Sequence, residues 1–251
     1  MSLKSRQEKI LEIVEEKGYV TVKHLSEALC YSTATINRDL NELQKRKLIT
    51  RSYGGAELTR ATYVPIHFRA HKMRVEKRQI GRTAASFVCD GDTIFIDGST
   101  TAQCMQQYIM GKKEITVITN NMLLAVDLSN SGIKVVCLGG EVAEPPCMLM
   151  GTETVMNASR YRVDKMFFST GGLSADGVIA SGIYDLMLKT IAKNAGQVFY
   201  LVDRKKLDQH FSTVYGDLSE VDVVISDHEF REEIKSKYGN TRFVTAEKSE
   251  G

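Results

Sequence analysis

Nowhere in this 251-residue chain does an apolar run approach the roughly 18 residues that a bilayer-spanning helix needs, so no membrane span is expected. The opening residues, Met-Ser-Leu-Lys-Ser-Arg-Gln-Glu, hold no apolar core and are not expected to act as a secretion signal. Paired cysteine motifs are missing too. Cysteines 30, 89, 104, 137 and 147 are odd in number, scattered and without a CxxC, which predicts buried free thiols in a reducing cytoplasm. The histidines at 24, 67, 71, 210 and 228 lack metal-ligand spacing; His67 and His71 can share a helix face but have no third partner nearby. Neither a metal nor a cofactor is expected. Solenoid-length repeats and low-complexity tracts are absent, and the first part of the chain shows no aromatic stacking platform of the kind RNA readers use. What remains is an ordinary soluble-globular composition, long enough for two domains with separate cores.

Charge divides the chain unevenly. Residues 1–82 carry 17 Lys+Arg against 9 Asp+Glu, whereas the remainder carries 16 against 22. A basic front attached to an acidic rear points to a polyanionic partner for the front alone. Within it, Arg69, Lys72, Arg74, Lys77, Arg78 and Arg82 also fit a solvated linker and helix face.

The spacing predicts a helix over Ser5–Lys17, stopped at Gly18, then a β-prone run Tyr19–Thr21 and a second helix over Val22–Leu29. Cys30–Tyr31 leaves only a tight turn before Ser32 caps a third helix. In that helix Ile36, Leu40 and Leu43 form one buried stripe. Ala34, Arg38, Asn41 and Lys45 fall opposite, with Thr33 and Asn37 on the flank. A small residue, amides and cations on one exposed face suit a DNA major groove. Leu48–Tyr53 then alternates in strand fashion and breaks at Gly54–Gly55, which predicts a wing. The whole reads as a winged helix-turn-helix over residues 3–58, with its helix-turn-helix core at 20–39. Asn37 and Arg38 are the expected base readers. Ser32, Thr33, Thr35, Asn41, Lys45, Arg51 and Tyr53 complete the expected DNA surface, with Thr33, Thr35, Lys45, Arg51 and Tyr53 meeting the phosphate backbone.

A linker is expected at 59–75, ahead of a helix over Glu76–Val88 and a second domain over 76–246. Strands are predicted at Thr93–Ile96, Ile115–Ile118, Lys134–Leu138, Lys165–Phe168, Val198–Val202, Val221–Ile225 and Arg242–Val244. Helices at Thr101–Met110, Met122–Leu128, Tyr184–Ala195 and Phe230–Tyr238 separate many of them. Apolar strands alternating with helices imply a mostly parallel α/β sheet covered on both faces. Ligands of such sheets bind at the carboxyl ends of the strands, and here those ends are polar. They read Asp97-Gly98-Ser99-Thr100-Thr101, Thr119-Asn120-Asn121, Gly139-Gly140, Ser169-Thr170-Gly171-Gly172 and Asp203-Arg204-Lys205-Lys206. The first of these leads straight into a helix, which makes it a phosphate-sized anion cradle. A phosphorylated small molecule is the expected ligand.

Thr35-Ile36-Asn37-Arg38-Asp39-Leu40, Gly54-Gly55-Ala56, Asp97-Gly98-Ser99-Thr100-Thr101, Thr119-Asn120, Gly139-Gly140 and Asp203 with Lys206 occur in one order from Arg6 to Asp227. In these the chain resembles the DeoR family of sugar-responsive bacterial transcription repressors. The resemblance implies a winged helix-turn-helix joined to a sensor domain folded like ribose-5-phosphate isomerase and glucosamine-6-phosphate deaminase. It also implies a phosphorylated-sugar effector, a double-stranded operator and repression relieved by the effector. Three positions depart from the family pattern. Asn37 stands where the first of two arginines is usual, Asp185 replaces a glutamate four residues before Lys189, and Asp203-Arg204-Lys205-Lys206 is more basic than the usual Asp-x-Ser-Lys.

The expected effector contacts are Asp97, Gly98, Ser99, Thr100, Thr101, Thr119, Asn120, Gly139, Gly140, Gly171, Asp203 and Lys206. The phosphate is placed on the Ser99–Thr101 turn, with Lys206 closing on it. A cytoplasmic homo-oligomer is expected, because one small module meets only a short half-site. The competing function is a sugar-phosphate isomerase or deaminase carrying a DNA-binding domain. Related isomerases have an Asp-Gly-Ala-Asp-Glu run where this chain has Ser169-Thr170-Gly171-Gly172-Leu173, without a carboxylate base, so no catalysis is expected.

Overall fold

The computed structural model describes residues 5–46, 48–58, 73–143, 148–181, 186–209 and 211–247. The chain divides into two compact units, Met1–Lys72 and Met73–Gly251. His67, His71, Cys147, Asp185, His210 and most of the expected linker lie outside the described residues.

The first unit follows from three amphipathic helices too short to be stable alone. They are α1 (Ser5–Lys17), α2 (Val22–Leu29) and α3 (Thr33–Lys45). Ile10, Leu11, Val14, Leu25, Ile36, Leu40 and Leu43 are all at most 1% exposed, and together they close one core. The Thr21 hydroxyl caps α2 by accepting from the His24 N–H at 3.2 Å, and Ser32 caps α3 through the Thr35 N–H at 3.2 Å. Cys30 ends α2 in the left-handed region at φ 57°.

Three short strands, β1 (Tyr19–Thr21), β2 (Ile49–Ser52) and β3 (Gly55–Leu58), form an antiparallel sheet in the order β1-β3-β2. The β2–β3 hairpin turns through Tyr53 and Gly54, at φ 41° and 76°. Two successive positive φ values match the twist of a tight hairpin, but only glycine adopts them without strain. Gly55 is packed closely: a Cβ there would lie 2.5 Å from the Tyr19 ring.

In the second unit, α4 (Arg74–Ser86) precedes β4 (Thr93–Ile96), a 3-10 turn (Ala102–Met105) and α5 (Gln106–Ile109). There follow β5 (Thr116–Thr119), α6 (Met122–Asn130), β6 (Lys134–Cys137), β7 (Glu141–Val142), β8 (Leu149–Met150) and α7 (Thr152–Ala158). The remainder is β9 (Val163–Phe168), β10 (Gly172–Leu173), β11 (Val178–Ser181), α8 (Leu186–Lys193), β12 (Ala195–Val202), β13 (Thr213–Asp217), β14 (Val223–Ser226), α9 (Glu232–Lys237) and β15 (Arg242–Thr245).

Seven strands make one parallel sheet in the order β15-β14-β12-β9-β4-β5-β6. Two apolar layers cover it. One gathers Phe95, Phe168, Tyr200 and Val224 with Met187 and Ile191 of α8; the other gathers Ile94, Phe167 and Phe199 with Ile80 and Ala84 of α4. The chain builds outward from β4 through β5 and β6, then returns to the opposite flank for β9 and the rest. The sheet's topological switch point therefore lies between β4 and β9.

Several expectations need correction. Cys30, Cys89 and Cys137 are exposed and Cys104 is half-buried, so these free thiols are not core residues. The helix expected over Thr101–Met110 starts as a 3-10 turn. α7 was not predicted, nor were the antiparallel ladders β7–β8 and β10–β11–β13. Among the described residues no helix is long and apolar enough to cross a membrane.

Candidate functional site

On the first unit, α3 turns its apolar stripe inward and leaves Ser32, Thr33, Ala34, Arg38, Asn41 and Lys45 exposed, with Thr35 and Asn37 half-buried. Asp39, only 1% exposed, fastens this helix from behind. It takes an ion pair from Arg6, and the Gln7 amide donates to it at 3.4 Å and to Glu42 at 2.8 Å. The Ser32 and Thr35 hydroxyls, 2.9 Å apart, satisfy one another across the cap. Asn37 donates back to the Thr33 carbonyl at 2.9 Å. Arg51, reaching over from β2, donates to both the Asn37 and Asn41 carbonyl oxygens at 2.6 Å. Arg38 and Lys45 have no hydrogen bond or ion pair among the described residues. Tyr53 stands fully exposed at the hairpin tip, its backbone carbonyl accepting from Tyr19 Oη at 3.0 Å.

In the second unit the polar strand ends collect at the switch point. Asp97, Gly98, Ser99, Thr100, Thr101, Thr119, Asn120 and Asp203 are all buried, while Gly139, Gly171 and Lys206 are half-buried. Lys206 gathers three strand ends. Its Nζ donates to Thr101 Oγ1 at 3.0 Å and Ser169 Oγ at 2.7 Å, and lies 3.8 Å from the Asp203 carboxylate. The Asp97 carboxylate accepts from Ser99 Oγ at 2.5 Å and the Ser169 N–H at 3.4 Å. Burial pushes this carboxyl up to about 7; the hydrogen bonds from Ser99 and Ser169 and the Lys206 charge act the other way.

Sequence reasoning missed Lys77. Treated as a solvated cation, it is only 3% exposed, and its Nζ donates to Thr100 Oγ1 at 3.0 Å. The signal was present: Lys77 precedes Ile80 and Ala84 by three and seven residues, on the inward stripe of α4. Gly81 lets that helix come close, since a Cβ there would meet the Cys104 backbone at 2.6 Å. Two lysine ammonium groups thus converge on the hydroxyls of one strand end, at the start of the 3-10 turn.

The other strand ends take part unequally. Asn120 donates to the Leu149 carbonyl at 3.2 Å and keeps a buried Oδ1 without a partner; Thr119 Oγ1 accepts from the Asn121 N–H at 3.0 Å. Gly139 and Gly140 sit at φ 72° and 113°, and a Cβ on Gly140 would lie 2.0 Å from Thr154 Oγ1. Close packing between the loop and α7 accounts for Gly140. The space beside Gly98 and Gly171 is filled by Met148 and Phe211, whose atoms would meet added Cβ atoms at 2.5 and 2.8 Å. At the end of β9, Ser169 rather than Gly171 makes the side-chain contact.

The pattern of the DeoR-like helix-turn-helix domain matches residues 6–62, and that of the DeoR C terminal sensor domain matches residues 72–228. The chain is 30% identical over 231 residues to the glycerol-3-phosphate regulon repressor of Escherichia coli (strain K12), covering 90% of this chain and 92% of that protein. It is 33% identical over 223 residues to the HTH-type transcriptional repressor GlcR of Bacillus subtilis (strain 168), covering 87% and 86%. The lactose phosphotransferase system repressor of Staphylococcus aureus (strain N315) is 28% identical over 243 residues, covering 94% and 96%. Among solved structures, a D-ribose-5-phosphate isomerase in complex with phospho-erythronic acid aligns over 53% of each chain, at 15% identity and a TM-score of 0.40.

Proposed function

Because this chain belongs to the DeoR family of transcriptional regulators, we propose that its first unit grips a specific duplex operator and lets go when a phosphorylated sugar or related metabolite fills the switch-point site of the second. The observation that carries the effector half is the convergence of Lys77 and Lys206 on Thr100, Thr101 and Ser169. Three hydroxyls and two ammonium groups gathered at the switch point form an anion site that a sugar hydroxyl alone does not call for. In this reading the phosphate rests on the Ser99–Thr101 turn. Asp97, Thr119, the unpaired Asn120 Oδ1 and Gly140 face the sugar, and Asp203 holds Lys206 in place.

The DNA half rests on α3, with Arg38 toward base edges and Thr33, Lys45 and Tyr53 toward the backbone. The working form is a cytoplasmic homo-oligomer that doubles these contacts on a repeated or palindromic site. The site works as a sensor without turnover: the end of β9 offers hydroxyls where proton transfer between sugar carbons needs a carboxylate base, and Asp97 is tied to Ser99 and Ser169.

Two measurements test this. Selection of duplexes from a randomised pool by the full-length protein should enrich one recurring sequence. A thermal-shift screen of phosphorylated sugars should find a stabiliser that also releases that duplex; ligand at 100 times its Kd adds about 2.7 kcal/mol. Enrichment without any responsive sugar phosphate would leave the DNA half standing and end the effector half. Conversion of pentose or hexosamine phosphates would show an enzyme instead.

A further inference from the structure

Among the described residues of the first unit, three arginines pair with side-chain oxygens, but with different chemistry. Arg6 pairs with the Asp39 carboxylate and Arg46 with the Glu42 carboxylate at 3.1 Å, so the charges of both are cancelled within the fold. Arg51 is held instead by the carbonyl oxygens of Asn37 and Asn41, each at 2.6 Å from one of its terminal nitrogens. Amides accept without neutralising. Arg51 therefore keeps its full charge, while its half-buried stem and two hydrogen bonds fix the guanidinium plane in advance.

The same bonds disable Asn37 as a reader. Recognition of adenine needs the amide to offer its oxygen and one N–H side by side. Here Nδ2 is turned back to the Thr33 carbonyl and Oδ1 lies against Arg51. Arg51 has five N–H donors and spends two on the asparagines, so three remain. The guanidinium sits against Asn37 and Asn41 of α3, the helix on which Arg38 and Lys45 are exposed. We propose, given a DNA-binding role for this unit, that Arg51 reads a base edge as a planar fork, and that Asn37 and Asn41 are positioning residues acting through it. The base is one that presents two acceptors in the major groove, which is guanine.

The test uses the full-length protein and the duplex it selects from a randomised pool, together with every single-base variant of that duplex, each titrated over a salt series. Arg51→Ala should lose discrimination on the order of 10-fold or more at one G·C pair per half-site, with preferences elsewhere kept. Arg51→Lys should fail to restore it, since an ammonium keeps the charge but not the fork. Asn37→Ala and Asn41→Ala should relax the same base pair more weakly, and add nothing in the Arg51→Ala background. Thermal melts check that each variant folds; were Arg51→Ala to unfold the unit, Arg51→Lys and the two asparagine variants give the same readout.

Uniform weakening across all duplexes, with the salt slope reduced by about one, would make Arg51 a phosphate contact and overturn the proposal. So would relaxation of a different base pair by Asn37→Ala, which would make Asn37 a reader in its own right. Failure of the parent protein to enrich any sequence would end the DNA-binding reading, and this proposal with it.

Discussion

Asp97 pays for its position. Its carboxyl moves from an ordinary 3.8 up to about 7, chiefly because it is buried. The folded chain therefore holds this proton over a range where the unfolded chain has released it. That makes Asp97 increasingly destabilising as pH rises from about 4 to about 7, after which the loss levels off. Asp97→Asn removes the slope while keeping an acceptor for Ser99. Urea midpoints of the second unit's transition should show the variant gaining on the parent over that interval, with the two meeting near pH 4. Parallel profiles would mean that Asp97 ionises normally. Sugar-phosphate affinity should fall in the same variant, the mark of a residue kept for binding at the expense of stability.

Reading single residues from the sequence succeeded where the cause was local. Ser32 was legible because a cap needs only a hydroxyl three residues ahead of an N–H, and Asp97 and Lys206 because polar residues directly follow apolar strands. Lys77 was not, because a lysine on an inward stripe looks like a surface charge until its partner, Thr100, is brought in from another element. The Arg51–Asn37–Asn41 cluster stayed hidden for a similar reason. Arg51 lies on β2 and its partners on α3, ten and fourteen residues away, and nothing in the spacing of the three residues announces the contact.

Among elements, α1 and α2 were legible to the residue and α3 at its start, since a helix displays its buried stripe in its own sequence. The seven parallel strands were nearly as plain, because burial on both faces makes the five inner ones largely continuous apolar runs. The ladders β7–β8 and β10–β11–β13 are two to five residues long, and what selects them is a partner elsewhere in the chain. The contact between α4 and the 3-10 turn is the element-scale feature most exposed to disruption. Glycine inside a helix costs about 1 kcal/mol relative to alanine, yet Gly81 occupies that place because the Cys104 backbone leaves no room for a Cβ. Gly81→Ala should therefore destabilise the second unit by about 1–3 kcal/mol, despite better helix propensity. It should also carry Lys77 away from Thr100 and weaken sugar-phosphate binding. Arg82→Ala, exposed on the same helix, is the control. A Gly81→Ala protein as stable as the parent and equally responsive to ligand would show that the contact is slack.

For the molecule as a whole, sensing and DNA binding should separate by mutation, because their side chains belong to different units. Lys206→Ala removes charge-assisted bonds worth about 1.5–3 kcal/mol and should weaken effector binding by roughly 10- to 150-fold. Operator affinity without effector should stay near that of the parent, and expression of a reporter behind the selected duplex should stay shut when the sugar phosphate is supplied. Parental release would place the phosphate elsewhere. The order of strands also imposes an order in time. By Leu58 every described strand of the first unit is in place, whereas β4 must wait for β9 at Val163, and β9 in turn for Ala195–Val202. Synthesis therefore delivers a reader well before a controller can fold. Under the proposed function, a chain cut short ahead of Ala195 keeps the residues of the reading surface and loses the sheet that listens, so premature termination or proteolysis there would leave a product that no longer answers to the effector.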